Sequence, residues 1–205
     1  YQLISLAIER KVQAVIIAGD LLQAQVPPQE QRSAVTAGFS RLADQGIPVF
    51  LIPGHEETRL SILDRLELPG NVYLLNAEGA KASHLVPGLT VYGFPSGLAQ
   101  DFRPLENFRR LDRSGVHLGV VHGTYLGLPG EPPERWLPIP PEDIARSGLD
   151  YLALGHYHEY FTCAHGGTHA VYPGSPARLD FGQGAARSAL LVTLNLDIEP
   201  KYDDK

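Results

Sequence analysis

Hydrophobic positions in the first third of the chain follow two patterns, helical spacing and unbroken apolar runs. Residues 2–10 and 29–45 have apolar side chains at helical spacing and predict two helices. Residues 12–18 and 48–52 are nearly continuous apolar runs, followed by Gly-Asp and Pro-Gly, which is typical of strands buried on both faces. This order forms a β-α-β unit, so we expect neighbouring parallel strands.

The rest of the chain is richer in short strands. Strands are predicted at 72–75, 89–94, 117–122, 150–155, 168–172 and 188–196. Helices are predicted at 58–66, 104–113 and 141–147, whereas the five prolines of 124–140 predict a loop. Two sheets packed face to face, with helices outside, would accommodate both halves of the chain. We therefore expect an α/β fold.

Charge and composition narrow the functional classes. The chain has 17 basic and 23 acidic residues, so it lacks the basic excess of many nucleic-acid binders. Bound divalent metals could still supply the positive charge that phosphates need. No run approaches the ~18 apolar residues of a membrane helix, and no secretory signal begins the chain. The single cysteine, Cys163, suits a reducing compartment, so we expect a cytoplasmic protein without membrane association.

Candidate metal ligands follow four of the predicted strands, where open α/β sheets place their sites. These candidates are Asp20, His55, His122, His156 and His158. An aspartate or histidine alone at a strand end is usually a structural group. The Gly-His-Tyr-His run is more specific, because it places two imidazoles on one face of an extended segment. Four such strand ends together predict a metal site.

The donor set indicates the metal and its chemistry. One carboxylate with several imidazoles suits manganese, iron or zinc rather than magnesium or calcium alone. Two such ions about 3.5–4 Å apart would clamp the oxygens of a phosphoryl group and activate a water for in-line attack. The donor set is therefore compatible with hydrolysis of a phosphoester.

The runs around these residues resemble the motifs of the calcineurin-like metallophosphoesterases. Residues 18–22 are similar to the G-D motif of that superfamily, and residues 52–56 to its G-N-H-D/E motif. Residues 121–123 look like its single-histidine strand end, and residues 154–158 match its G-H-x-H motif. The resemblance covers residues 2–196, nearly the whole chain.

Within that superfamily the chain most resembles the SbcD-type double-strand-break repair nucleases. The stretches with this resemblance are 150–158, 172–176 and 180–182. The resemblance implies a four-layer α/β/β/α sandwich of two packed mixed sheets. The nuclease domain would span residues 1–198, and residues 199–205 would form a charged tail.

The resemblance also implies roles for the candidate residues. Asp20 would bridge two metal ions, His158 would bind the first ion, and His122 and His156 would bind the second. Manganese would be the ion, and the reaction would be exonucleolytic or endonucleolytic cleavage of DNA phosphodiesters in repair. An SbcC-type ATPase and a second copy of the chain would be partners.

The first departure from the family concerns its D-x-H motif, which would complete the first metal site. Nothing in the sequence supplies it. The sequence starts at Tyr1, within a predicted helix, and contains no methionine. We therefore expect that residues are missing from it, among them an N-terminal strand with D-x-H.

The second departure is at Gly54, which His55 follows without the family's asparagine. Two registers are open. In one, a residue is missing and His55 with Glu56 takes the catalytic His-acid place, so that His55 protonates the leaving oxygen. In the other, His55 replaces the asparagine as a ligand and Glu56 takes the histidine's place. We favour the first register, because it preserves the His-acid pair.

Further residues have both a functional and a structural interpretation. Arg178 could contact a phosphate, but a role on the surface or in anchoring a loop is favoured. Tyr157 could line the cleft or point into the core. Trp136 could stack on a base, but packing within its loop is favoured. The remaining histidines are interpreted as structural, with His165 and His169 in an exposed hairpin and His84 and His117 elsewhere.

Two rivals remain beside a DNA nuclease. The first is a metallophosphoesterase for a small phosphoester such as a nucleotide, which the acidic net charge favours. A DNA enzyme needs an open groove with a basic rim, for which the candidates are Arg103, Arg109, Arg110, Arg113 and Arg178. The second rival is a degenerate scaffold without catalytic activity.

Overall fold

The computed structural model describes residues 2–22, 29–55, 57, 63, 66–75, 86–94, 101–110, 114–130, 136–176 and 188–195. Its helices are α1 (Gln2–Glu9), α2 (Gln29–Ala43) and α3 (Pro141–Ser147). Its strands are β1 (Val15–Ala18), β2 (Val49–Ile52), β3 (Val72–Leu74), β4 (Leu89–Gly93), β5 (Val116–His122), β6 (Tyr151–Gly155), β7 (Tyr160–His165) and β8 (Thr168–Pro173). None of these helices is both long and apolar enough to span a membrane.

The strands form two sheets. The first has the order β1-β2-β3 and is entirely parallel. The second has the order β4-β5-β6-β8-β7, in which β7 alone runs antiparallel to its neighbour. The β-α-β unit predicted from the early apolar runs is thus confirmed as β1-α2-β2.

Alternation of side chains along the strands explains how four layers form. On β2, Phe50 and Ile52 point towards the second sheet and pack in a cluster with Val120 of β5. Val49, on the opposite face of β2, packs with Phe39 of α2 and with α1 residues. The two sheets therefore share one apolar interface, and α1 and α2 cover the outer face of the first sheet.

The second sheet has the same two-sided arrangement. On β6, Tyr151 and Ala153 pack towards the first sheet. Leu152 and Leu154 point the other way and pack against Ile144 of α3. The α/β/β/α sandwich with two packed sheets is confirmed.

The predicted helix at 104–113 is wrong over its described residues. These residues form turns with isolated backbone hydrogen bonds, because tertiary contacts override their helical pattern. The Phe108 ring packs edge-on against Tyr92, with centroids 5.0 Å apart. Arg103 reaches the buried carboxylate of Asp143 on α3 through two hydrogen bonds of 2.9 and 2.7 Å.

The predicted strand at 188–196 is also wrong over its described residues. Ser188 donates its backbone N–H to the Ser175 carbonyl at 3.2 Å, but residues 188–195 form no ladder with a described strand. Apolar side chains such as Leu191 stay exposed there. Strand propensity depends on a neighbour to pair with, and a pattern of residue types does not supply one.

The hairpin around the Gly-Gly turn is confirmed, although β7 was not predicted as a strand. Its residues alternate between exposed and half-buried, as expected for an edge strand with one face towards the core. The predicted helix at 58–66 falls mostly outside the described residues.

Candidate metal centre

The carboxyl ends of four strands from both sheets meet at one place. β1 and β2 are neighbours in the first sheet, and β5 and β6 are neighbours in the second. β1 contacts both β5 and β6 across the interface between the sheets. The residues that follow or end these strands are Asp20, His55, His122 and His156. The sandwich thus brings together four of the five predicted ligands.

The donor atoms of these side chains lie close together. Asp20 Oδ2 lies 3.4 Å from His55 Nδ1 and 3.3 Å from His122 Nε2. The two imidazole nitrogens are 3.3 Å apart. Ligand atoms of His55, His122 and His156 all lie within 4.8 Å of one another. Two donors that each lie about 2.1 Å from a tetrahedral ion are about 3.4 Å apart, so the observed spacings suit one cation.

The tautomer of His122 is set by a carbonyl of β1. His122 is buried, and its Nδ1 lies 2.8 Å from the Ala18 oxygen. A carbonyl can only accept, so the Nδ1 atom donates and the lone pair of neutral His122 is on Nε2, which faces Asp20. Metal-binding histidines usually donate their other ring N–H in this way.

Glycines next to the ligands allow this close approach. A Cβ atom on Gly54 would collide with Asp20 Oδ1, and a Cβ atom on Gly155 would collide with the Ala18 carbonyl. Gly54 and Gly155 precede His55 and His156 directly, so a larger residue at either position would separate the strand ends. Glycine is therefore required at both positions because no side chain fits between the neighbouring strand ends.

Backbone strain is concentrated around the centre. Four described residues other than glycine have a positive φ, and Asp20 (52°) and His156 (94°) are two of them. A third, Leu137 (43°), adjoins Trp136. Such conformations cost of order 1–3 kcal/mol and are often found at functional sites. Here they occur at two candidate ligands, close after the ends of their strands.

The environment of Asp20 favours a cation. Burial alone would raise the pKa of Asp20, but hydrogen bonds and charges from His122 and His55 outweigh burial and hold it well below the usual value. The other carboxylate oxygen, Oδ1, is buried and has no hydrogen-bond partner in the described part of the chain. A buried ionised acceptor needs such a partner. A metal ion would provide this partner for Oδ1, so the environment of Asp20 suits the predicted metal site.

Glu57 is a supporting residue that sequence analysis missed. Its buried carboxylate accepts the backbone N–H of Leu22 at 2.9 Å and that of Gly54 at 2.8 Å. It therefore joins the loop after β1 to the loop after β2. Burial raises the pKa of Glu57 in spite of these two hydrogen bonds. The doubled acid after His55 was the signal that could have identified it, but only Glu56, outside the described residues, was considered.

Trp136 lies beside the centre rather than only within its loop. Its ring centroid is 5.6 Å from that of His55, at an angle of 49° between the planes. Two hydrogen bonds fix its backbone to Thr124, from Trp136 N to Thr124 Oγ1 at 2.9 Å and from Thr124 N to Trp136 O at 2.7 Å. Trp136 therefore packs as predicted, but against the ring of the candidate ligand His55.

The other candidates are not members of this group of imidazoles or fall outside the described residues. His158 is not in the group of three imidazoles. The Tyr157 ring packs edge-on against Tyr172 at 5.6 Å, and its hydroxyl donates to Glu159 at 3.2 Å. Arg178 falls outside the described residues.

Two of the histidines interpreted as structural have internal partners. His117 is buried, with its Nδ1 2.8 Å from the Tyr92 hydroxyl. His165 Nε2 lies 2.6 Å from the Tyr125 hydroxyl. His84 lies outside the described residues, and His169 is exposed on β8.

Comparison with known proteins gives several relatives. An uncharacterized metallophosphoesterase, YhaO of Bacillus subtilis, is 28% identical over 178 residues, which are 84% of this chain and 43% of YhaO. The DNA double-strand break repair protein Mre11 of Methanosarcina mazei is 29% identical over 202 residues, 92% of this chain and 31% of Mre11. The Mre11 of Haloferax volcanii is 28% identical, and the match covers 93% of this chain and 42% of that protein. The chain thus spans less than half the length of these relatives.

Comparison of folds agrees with these matches. The crystal structure of TT1561 of Thermus thermophilus superposes with a TM-score of 0.51 at 12% sequence identity, covering 83% of this chain and 80% of TT1561. At that identity the likeness concerns the fold alone. Residues 2–196 match the calcineurin-like phosphoesterase superfamily domain. The chain therefore belongs to the calcineurin-like phosphoesterase superfamily.

Proposed function

We propose that this protein is a metal-dependent phosphodiesterase whose metal ion is held by Asp20, His122 and His156, with His55 beside them. The observation that supports this most strongly is the convergence of one half-buried carboxylate and three imidazoles at strand ends from two sheets. If these four side chains had only a structural role, their ligand atoms would face one another with no cation between them. Asp20 Oδ1 in particular would remain a buried acceptor without a described partner.

Each residue contributes in a way that follows from its surroundings. Bound metal would supply positive charge against the phosphoryl oxygens and acidify a water molecule. In the metal-free protein, hydrogen bonds and charges from His122 and His55 outweigh burial and hold the pKa of Asp20 low, so its carboxylate is ionised and ready to bind a cation. His122 presents Nε2 because its Nδ1–H is bound to Ala18. Glu57 fixes the spacing between the loops of Asp20 and His55.

We further propose a second ion and a DNA substrate. The second ion would be bound by Asp20 and His158, together with a D-x-H motif that the sequence does not contain. Manganese suits the carboxylate and water ligands of such a pair. DNA as the substrate is supported by the relatives named as DNA double-strand break repair proteins. An exonuclease or endonuclease of the SbcD type with an SbcC-type ATPase partner, acting as a homodimer, is the most specific form of this proposal.

A small phosphoester is the second candidate substrate, because the basic rim that DNA requires is weak. Arg103 is bound by Asp143, and Arg110 pairs with Asp150 at 3.0 Å. Arg109 donates to backbone carbonyls, at 3.3 Å to that of Glu106. These arginines are therefore engaged within the protein. Arg113 and Arg178 lie outside the described residues.

Hydrolysis assays distinguish these candidates. The protein would be incubated with manganese and, in parallel, with linear duplex DNA, single-stranded DNA, a nucleotide and bis(p-nitrophenyl) phosphate, with EDTA as the metal-free control. We expect manganese-dependent cleavage of DNA that is lost by at least about 100-fold in His156→Ala. The matched control is His169→Ala, which removes an exposed imidazole of β8 away from the centre.

Three outcomes would change the proposal. Cleavage of the nucleotide but not of DNA would favour the small phosphoester. Metal binding without hydrolysis of any substrate would favour a scaffold. Activity that His156→Ala retains in full would contradict the placement of the active site.

A further inference from the structure

We propose that His55 is a direct ligand of the metal ion through Nδ1, and that this additional imidazole shifts the preference of the centre from manganese towards zinc, iron or cobalt. This inference rests on the metal site of the proposed function and concerns which atoms bind the metal there. It assigns His55 the ligand role among the two that the sequence left open.

The first step is the position of Nδ1. It lies 3.4 Å from the carboxylate of Asp20 and 3.3 Å from His122 Nε2. In neutral His122, Nε2 is an acceptor, because the proton is on Nδ1 and bound to Ala18. The Asp20 carboxylate is an acceptor as well. His55 Nδ1 thus lies next to two hydrogen-bond acceptors. A proton on Nδ1 could be donated to only one of them, whereas a cation between the three atoms would be bound by all three.

The second step is how firmly the His55 ring is held in this position. It stacks on the His122 ring at 5.6 Å with 30° between the planes, and meets the His156 ring edge-on at 5.6 Å. Trp136 packs against it at 5.6 Å. The peptide before it is fixed by the hydrogen bond from Gly54 to Glu57 at 2.8 Å. The ring is therefore oriented before any metal binds.

The third step is the chemistry of the donors. Imidazole nitrogen suits zinc, iron, cobalt and copper, whereas carboxylate, carbonyl and water oxygens suit manganese and magnesium. With His55, the centre has three imidazoles and one carboxylate, and a water or substrate oxygen would join them as a fifth ligand. Without His55 the fourth position would fall to an oxygen of water or substrate. The third imidazole should therefore raise affinity for the nitrogen-preferring metals more than for manganese.

His55→Asn tests this directly. Asn Oδ1 and His Nδ1 occupy the same position along the side chain, so the variant keeps a donor there but exchanges imidazole nitrogen for amide oxygen. We expect the ratio of zinc to manganese affinity, measured by competition with a chromophoric chelator, to fall by about tenfold or more, in the range of substitutions around metal ligands. Manganese affinity should change by less than about threefold. The matched control, His169→Asn, should leave the ratio unchanged.

A spectroscopic measurement on the wild type tests the ligand role of His55 even if the His55→Asn variant fails to fold. Pulsed EPR of the protein with ¹⁵N-labelled histidine and one Mn²⁺ at this centre counts the coupled imidazole nitrogens. We expect three for the wild type and two for His55→Asn. Circular dichroism and thermal unfolding of the variant verify its fold.

The outcomes separate this inference from the proposed function. Two coupled nitrogens in the wild type, or an unchanged affinity ratio in folded His55→Asn, would overturn the ligand role of His55 even if His122→Ala abolishes metal binding as the proposed function requires. Absence of metal binding by the wild type would overturn both.

Discussion

At the scale of single residues, Gly54 shows how a backbone position controls the centre. Its backbone N–H binds Glu57, and the space where its side chain would lie is taken by the Asp20 carboxylate. Asp20 has a φ of 52°, a conformation that is already costly for a residue with a side chain. The loop therefore has little freedom to move away from an added atom.

We predict that Gly54→Ala weakens metal binding by more than about tenfold and lowers the free energy of unfolding by about 1–3 kcal/mol, because the added methyl overpacks the centre. Isothermal titration with Mn²⁺ and urea denaturation measure the two effects. The control is Gly70→Ala, where a Cβ atom would meet no heavy atom within 4 Å. Unchanged metal affinity in Gly54→Ala would contradict the proposed contact with Asp20.

Cys163 supports a prediction about pH. Its half-buried thiol on β7 has a pKa above the usual value of 9.0, because burial disfavours the thiolate. Only the thiolate reacts with alkylating reagents. Alkylation by iodoacetamide should therefore rise with pH with a midpoint above 9.0 in the folded protein. The chain unfolded in urea, whose thiol is in water, should show a lower midpoint, and equal midpoints would contradict the prediction.

At the scale of elements, β8 supports the loop that follows β5. The hydroxyl of the buried Tyr172 donates to the Gly123 carbonyl at 2.6 Å and accepts the Tyr125 N–H at 2.7 Å. This loop directly follows His122. One side chain of β8 thus satisfies two backbone groups next to a candidate ligand.

We predict that Tyr172→Phe lowers the free energy of unfolding by about 1–3 kcal/mol, because a buried N–H and a buried C=O lose their partner. Urea denaturation followed by circular dichroism measures the change. Tyr160→Phe is the matched control, since Tyr160 is 57% exposed and should lie within about 0.5 kcal/mol of the wild type. Equal stability of the two variants would show that the Tyr172 hydroxyl is dispensable.

Elements differ in how well the sequence predicted them, and burial explains the difference. Strand β2 is buried between the helices and the second sheet, whereas β1, at the edge of the described first sheet, is only half-buried, so the prediction of burial on both faces is wrong for β1. Unbroken apolar runs with glycine after them still identify both strands and the ends where the candidate ligands lie. The described parts of the predicted helix at 104–113 and of the predicted strand at 188–196 have the residue pattern of a helix and a strand, but their tertiary contacts favour other conformations. Their conformation depends on contacts such as that of Arg103 with Asp143, which are distant in the chain.

The residues of the candidate metal centre were predictable to the same degree. Asp20, His122 and His156 follow from strand ends and spacing alone. The role of Glu57 depends on its distance from Leu22, 35 residues earlier in the chain, and the position of Trp136 depends on how its loop folds back on Thr124. No local sequence pattern predicts either of these two contacts.

At the scale of the whole molecule, the centre exists only when the two sheets are packed together. Asp20 and His55 belong to the first sheet, and His122 and His156 belong to the second. Metal binding and the packing of the sheets should therefore stabilise each other, because an ion that binds only the folded state shifts the folding equilibrium.

We predict that Mn²⁺ at about 100 times its dissociation constant stabilises the protein by about 2.7 kcal/mol, which corresponds to about 5–10 °C in Tm for a chain of this size. Differential scanning calorimetry measures the shift. His122→Ala should show none, and His169→Ala should shift like the wild type. An equal shift in His122→Ala would mean that the ion binds elsewhere.

The most direct test of the central claim is the metal content of the purified protein after incubation with Mn²⁺ and removal of free ions. Inductively coupled plasma mass spectrometry should find at least one ion per wild-type chain, and a small fraction of that in His122→Ala and His156→Ala. Less than one ion per wild-type chain, or equal content in the variants, would contradict a metal centre at Asp20, His122 and His156.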